Sequence, residues 1–364
     1  MRQICPQICQ WMAALSLLGC KPELPPLEYQ SERARVGSDV VDQVCAGTLA
    51  RIDRELDQVE RRLELARTRV LADIYIVEPD VVAAYCRSDL EGCTQFPGGT
   101  IYVTPRAFEL LVAHELTHHR LGHDQDLVNT PRLLREGIAV AMEPSLCPRW
   151  FPPELTANEL LDTRSGPDLV QIPGGYYLGG ELVAWLLATH GPAEVLAWMI
   201  ESKRTDRSAQ VRQDYRARFG SDLDADLFAH LRDPATISPE EFGCIGPRAP
   251  ADRSGRRVAL RAKLDCDADD VQNSFLVDGA GYVEWILTID EPRAGRYALV
   301  GEVPEWTVLT IEACRCRASI GAEPQEALAR PMQASEQLAA GTYRLRWFGQ
   351  LDADLELDVA LVRQ

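Results

Sequence analysis

The hydrophobic patterning of this 364-residue chain changes after Pro247, and that switch constrains the fold more than any other feature. Beyond it, Val258–Leu260, Tyr282–Leu287, Tyr297–Val300, Val308–Ile311, Tyr343–Trp347 and Leu355–Val359 are short runs rich in β-branched, aromatic and leucine residues, many set apart by turns of Gly, Pro or Asp. Successive strands with no helical pattern between them predict an antiparallel, all-β sandwich-like domain over 248–364. Before Pro247 helical and strand patterns mix, so an α+β domain is expected over 39–247.

Within that first domain, Val41, Val44, Cys45, Leu49, Ile52, Leu56, Val59, Leu63 and Ala66 recur at three- and four-residue steps. The spacing predicts one long amphipathic helix from Asp39 to about Val70. Ile74–Val77 reads as a strand stopped by Pro79, and Thr100–Val103 as a second strand entered from the turn Pro97-Gly98-Gly99. Thr104-Pro105 and Thr130-Pro131 each put a hydroxyl-bearing cap before a proline suited to a first helical turn. The first of these helices is expected to stop at Gly122 and the second before Pro144. Further helices are expected over about Gly180–Thr189 and from Gly191-Pro192 to about Glu201, with helical sequence continuing to about Leu231.

The start of the chain reads differently. An apolar run from Trp11 to Gly19 follows Arg2 and is too short to span a bilayer, so 1–20 is expected to be a secretion signal. It ends Leu17-Leu18-Gly19-Cys20, which resembles a bacterial lipobox, where the chain is cut before a cysteine that receives lipid. The implied product is an exported protein held on the cell envelope by a lipid anchor at Cys20, with a Pro-rich tether over 21–38. An ordinary signal peptide with an incidental cysteine is the alternative. Of the 11 cysteines, Cys45, Cys86, Cys93, Cys147, Cys244, Cys266, Cys314 and Cys316 lie beyond this segment. That even number suits disulfides in an oxidising compartment, and Cys86 and Cys93 enclose a loop short enough for one bridge. Cys314-Arg315-Cys316 has only one intervening residue, short of usual zinc-ligand spacing. A net charge of -17 without a clustered basic stripe argues against nucleic acid as a partner and against anionic lipid on the folded surface.

The chemistry is concentrated in His114-Glu115-Leu116-Thr117-His118. Residues four apart on a helix are turned about 40° from each other, so both imidazoles project from one face and can take two corners of a tetrahedral metal site. Glu115, beside the first ligand, can accept a proton from water without itself coordinating. A charged, solvated helix face is the plain alternative. Against it, Leu110, Leu111, Ala113, Leu116 and Thr117 surround the motif with apolar or small residues. A third protein ligand is needed. His123 falls at the wrong offset, and Asp124 has the right offset for a His-x-x-Gly-x-x-Asp layout but finds Leu121 where that layout has glycine. Glu136, one to two turns into the helix after Thr130-Pro131, is the stronger choice, with Gly137 beside it to let a neighbouring helix come close.

Paired helices carrying His-Glu-x-x-His and then Glu-Gly-x-Ala, here Glu136-Gly137-Ile138-Ala139, resemble the gluzincin superfamily, the zinc peptidases related to thermolysin and the aminopeptidases. The resemblance covers about residues 70–200. It implies a zincin-like catalytic domain in which His114, His118 and Glu136 bind Zn²⁺ and Glu115 is the general base of peptide hydrolysis. It also implies a tyrosine that donates a hydrogen bond to the oxyanion, with Tyr176 the first choice and Tyr177 the second. The plain alternative is that both tyrosines cap a core helix. In such proteins the strand before the motif helix pairs with the substrate backbone, which here would be Thr100–Val103. Two rival readings remain: a catalytically idle, zinc-binding envelope binding or assembly protein, and a zinc amidase acting on cell-wall material.

Overall fold

The structure, a computed structural model, describes residues 21–86, 90–124, 127–143, 175–202, 208–226, 246–252, 256–275, 277, 279–313 and 330–364. The expected signal and lipobox, and Cys147, Cys244, Cys314 and Cys316, lie outside the described residues. No helix among those described is long and apolar enough to cross a membrane.

The N-terminal half is built on a five-stranded mixed sheet in the order β1-β2-β3-β5-β4. Its strands are β1 (Tyr29–Gln30), β2 (Ala34–Ser38), β3 (Ala72–Ile76), β4 (Gly92–Gln95) and β5 (Thr100–Val103). β2, β3 and β5 run parallel, while β4 is antiparallel to β5 and forms one edge. Residues 29–38 were expected in a tether but belong to this sheet, because Ala34 and Val36 are fully buried on alternate positions of β2. The proline run before them is packed as well. Tyr85 donates to the Pro22 carbonyl at 2.7 Å, and a Cβ on Gly37 would meet the Pro26 carbonyl at 2.8 Å.

Two helices cover one face of the sheet, α1 (Ala46–Arg62) and α3 (Pro105–Asp124). Ile52 and Leu56 of α1 meet Phe108, Val112 and Leu116 of α3 over Ile74, Ile76, Ile101 and Val103. α1 is shorter than its apolar stripe predicts. It begins where Cys45 bonds Cys266, and it ends at Arg62 with Leu63 as its C-terminal cap, before Glu64 takes up a left-handed conformation. Pro79 does more than end a strand. It opens the short helix α2 (Pro79–Tyr85), the first-turn position that proline tolerates best.

After α3, the described residues up to Phe219 form the helices α4 (Arg132–Ala141), α5 (Gly175–His190), α6 (Pro192–Glu201) and α7 (Ser208–Phe219). These helices share a core with the end of α3 around Leu134, Ile138, Leu182, Leu186, Trp198 and Tyr215. α5 starts five residues before its expected position, and α3 continues through Gly122 instead of stopping there. The reason is packing: a Cβ at Gly122 would sit 1.9 Å from the Phe96 ring, so that glycine admits an aromatic side chain against the helix.

Among the described residues the C-terminal half forms two antiparallel sheets, one in the order β11 (Arg330–Pro331), β10 (Val308–Ala313), β13 (Gly341–Gln350), β8 (Ala280–Ile289), β7 (Val271–Asn273), the other in the order β12 (Ser335–Leu338), β9 (Gly295–Val300), β14 (Glu356–Arg363), β6 (Arg257–Lys263). The longest strands are β8 (Ala280–Ile289) and β13 (Gly341–Gln350), paired along their full length. Val283, Trp285, Leu287, Leu345 and Trp347 join Leu260, Val359 and Leu361 of the second sheet in one core, the arrangement a sandwich requires. The other face of β8 is covered too. Tyr282 and Glu284 are buried beside α1 and α3, with Tyr282 accepting a hydrogen bond from Arg51 at 3.0 Å. The halves are joined further just before α1, where the Asn273 side chain accepts from the Cys45 amide at 2.7 Å and the Cys266 carbonyl accepts from the first helical amide, Ala46, at 2.9 Å.

Candidate metal centre

Helix α3 begins as the sequence predicts, with Thr104 Oγ1 accepting from the Ala107 amide at 3.1 Å and Pro105 in the first turn. Because Phe108, Val112 and Leu116 face the sheet, the helical repeat turns His114 and His118 toward α4. Their Nε2 atoms lie 3.1 Å apart. From α4, Glu136 brings Oε2 to 3.2 Å from His118 Nε2 and 3.4 Å from His114 Nε2. Two ligands held about 2.0–2.1 Å from one tetrahedral cation stand about 3.4 Å from each other. The three observed separations therefore match three edges of such a coordination shell. These residues can hold a metal ion.

The electrostatics agree with that fit. Burial opposes charge on His114, but the hydrogen bonds to Glu136 and Glu143 outweigh it and push its pKa up to about 10. Burial likewise opposes charge on Glu136, yet the two histidines hold its carboxyl well below the usual carboxylate range. This is a pocket arranged around positive charge.

Glu143 is the functional residue that sequence reasoning misses. Its Oε1 lies 3.0 Å from His114 Nδ1, which commits that nitrogen to the carboxylate and leaves Nε2 facing Glu136. It lies two residues past the last residue of α4, so no helical spacing marks it in the sequence. Glu115 stays out of the ligand set. Its Oε2 accepts from the Thr94 hydroxyl at 2.8 Å, with the Glu115 carbonyl 3.0 Å away as an alternative acceptor. Tyr176 is near the start of α5, its ring 6.4 Å from that of His114. The phenol oxygen accepts from Arg132 Nη2 at 3.1 Å, leaving its own proton for another acceptor. Burial, followed by the charge of Glu136, raises the Tyr176 pKa, so it remains a donor at neutral pH.

His114, Glu115, His118, Glu136, Glu143 and Tyr176 all line one open cavity of about 480 Å³. The strand beside it differs from expectation. Thr100–Val103 is interior to the sheet, flanked by β3 and β4, so its backbone is already paired. Gly92, Cys93 and Thr94 of the edge strand β4 line the cavity instead, and Cys93 is bridged to Cys86. Gly137 lets a neighbouring helix come close, and that helix is α5. A Cβ there would meet the Gly179 carbonyl of α5 at 2.5 Å, so the glycine admits the helix that carries Tyr176. As for the other third-ligand choices, the α3 backbone continues helically from His118 to Asp124. It therefore carries the backbone of Asp124 about 9 Å along the axis without the reversal its ligation would need. The side chains of His123, Asp124 and Tyr177 lie outside the described residues.

No known protein-family model matches the chain, and no curated protein matches its sequence. The site's own geometry therefore carries the functional argument.

Proposed function

We propose that the chain is a zinc-dependent metallopeptidase with a zincin-like, gluzincin-type catalytic domain. The observation that carries this reading is the convergence of Glu136 Oε2 on two imidazole nitrogens at 3.2 and 3.4 Å, with Glu115 beside them and bonded elsewhere. A structural metal site needs no such uncoordinated carboxylate; a hydrolytic one does.

His114, His118 and Glu136 would hold the ion, which when bound supplies a Lewis acid and a source of acidic water. Glu115 removes a proton from the attacking water and returns it to the leaving amine. The Tyr176 hydroxyl donates to the oxyanion formed at the scissile carbonyl. The edge of β4 offers backbone groups to an extended peptide, which aligns the bond to be cut. Export and a lipid anchor at Cys20 are part of the same proposal. The Cys45–Cys266 and Cys86–Cys93 bridges support an oxidising compartment.

The test is cleavage profiling of a broad peptide mixture by the zinc-loaded protein, with Glu115→Gln as control. Peptide cleavage by the parent, lost in a Glu115→Gln protein that still holds zinc, is the expected result. Activity on cell-wall amides alone would make it an amidase. Stoichiometric zinc with no hydrolysis of either substrate would make it an idle binding protein.

A further inference from the structure

We infer that the Cys86–Cys93 bridge positions the proposed base, and that its reduction by a dithiol switches hydrolysis off while the metal site stays intact. The inference deepens the peptidase reading and rests on it. β4 is an edge strand, paired with β5 on one side only. Successive side chains of a strand point to opposite faces of the sheet. In register, Cys93 stands opposite Tyr102 and Thr94 opposite Ile101. Ile101 belongs to the core under α1 and α3, and on that face Thr94 donates to Glu115. Tyr102 is on the other face, where its ring stacks on that of Tyr85 at 4.8 Å. β4 is therefore gripped from two sides, by Thr94 toward α3 and by the bridge toward α2.

The α2 end of the bridge is itself fixed. Tyr85, the last residue of α2, donates its hydroxyl to the Pro22 carbonyl at 2.7 Å, and its own carbonyl accepts from the Gln95 side-chain amide of β4. Cys86 follows directly, so the bridge ties β4 to a helix end that is already held. It also closes the segment that brings Leu90, Glu91 and Gly92 to the cavity. Access separates the two bridges. Cys45 is fully buried, whereas Cys86 and Cys93 are half-buried and Cys93 lines the open cavity. Exchange requires an attacking thiolate to reach a sulfur, so a dithiol opens Cys86–Cys93 before Cys45–Cys266. One thiolate of the dithiol attacks a bridge sulfur to form a mixed disulfide, and its second thiol then displaces the protein sulfur. The dithiol leaves as a disulfide, and Cys86 and Cys93 take its two electrons and two protons to become thiols. Closing so short a loop adds less to global stability than closing a long one, so the fold outlasts this bridge.

The test measures kcat and zinc content on the zinc-loaded full chain before and after treatment with a dithiol. Alkylation and mass mapping identify which cysteines have opened. Opening of Cys86–Cys93 alone should lower kcat by about tenfold, the loss expected when Glu115 is no longer held, with zinc content unchanged. A Cys86→Ser/Cys93→Ser protein should show the same loss without dithiol and no response to it, which excludes withdrawal of zinc by the reagent. In Thr94→Val, reduction should cost about twofold or less, because the bridge acts through that hydroxyl. Amide hydrogen exchange reads the same event without turnover: reduction should speed exchange over Gly92–Gln95 and leave α3 protected. Undiminished kcat after reduction, or unchanged exchange over β4, overturns the inference alone. So does a full further tenfold loss in Thr94→Val, which would make the bridge a support of the fold and not of the base. No peptide cleavage by the oxidised, zinc-loaded parent overturns the metallopeptidase reading, and the switch with it.

Discussion

Thr94 on the edge strand β4 holds Glu115 Oε2 at 2.8 Å, so the strand that lines the cleft also orients its proposed base. A carboxylate held at one oxygen presents the other in a fixed direction, which is what proton transfer demands. Thr94→Val should lower kcat by about tenfold, a part of the roughly 10²–10⁴-fold that a positioned general base contributes, while zinc content and KM change little. Thr94→Ser should restore most of the loss. Steady-state kinetics on a cleaved peptide, with zinc measured in parallel, gives the answer; an equal loss in Thr94→Ser would mean the strand and not the hydroxyl matters.

Glu143 bears on metal affinity. With its carboxylate on His114 Nδ1, it fixes the ring and strengthens Nε2 as a ligand. Glu143→Gln should weaken zinc binding by about 10–100-fold, the usual cost of losing an outer partner of a ligating histidine. Competition against a chelator of known affinity measures this directly. Unchanged affinity would reduce Glu143 to a packing residue.

Gly137 tests how α5 is placed. A methyl group there meets the Gly179 carbonyl at 2.5 Å, and Gly179 in turn has the Leu133 carbonyl 3.0 Å from its own ideal Cβ. The helices cannot stay at this separation with alanine at either position. Gly137→Ala should cost about 1–3 kcal/mol of stability from overpacking, offset slightly by alanine's better helix propensity. Denaturant unfolding supplies the stability, and kcat reports whether Tyr176 has been displaced with α5.

How much of this could be read from the residues follows from the range over which each signal acts. His114, Glu115 and His118 are legible because a four-residue helical step is local geometry, and the antiparallel C-terminal sheets because strand-length apolar runs follow one another with no helical pattern between them. Glu136 is legible as a carboxylate on the next helix, and Gly137 as a place of close helix approach, though which helix approaches, α5, is set by the tertiary fold. β4 is not legible: Gly92-Cys93-Thr94-Gln95 has no strand pattern and becomes one by pairing with β5. The start of α1 is equally hidden, since the groups that receive its first amides, the Asn273 side chain and the Cys266 carbonyl, come from the other half of the chain. Glu143 lies past the last residue of α4, where helical periodicity no longer marks a face.

The contact between the halves has its own pH signature, centred on Glu284. This carboxylate is buried on β8 with Arg346 Nε at 2.8 Å and Arg344 Nε at 3.2 Å. Burial alone would raise its pKa, but the charges of Arg344, Arg346 and Arg51 outweigh that and hold it below the ordinary carboxylate value. The folded protein therefore binds fewer protons here than the unfolded chain does. The stability Glu284 contributes is fully present above about pH 4.3, the unfolded value, and is lost as pH falls through the lower folded value. Glu55, buried nearby, has the opposite sign because burial dominates and raises its pKa, so a pH profile of the parent alone would mix the two. Glu284→Gln isolates the first. At neutral pH it should cost about 3–5 kcal/mol, as expected when buried guanidiniums lose their carboxylate. The gap between parent and variant should then narrow steadily as pH drops below about 4.3. Paired denaturant titrations at pH 7 and through the acid range measure that gap, and one that stayed constant with pH would show that Glu284 is not held ionised against the arginines.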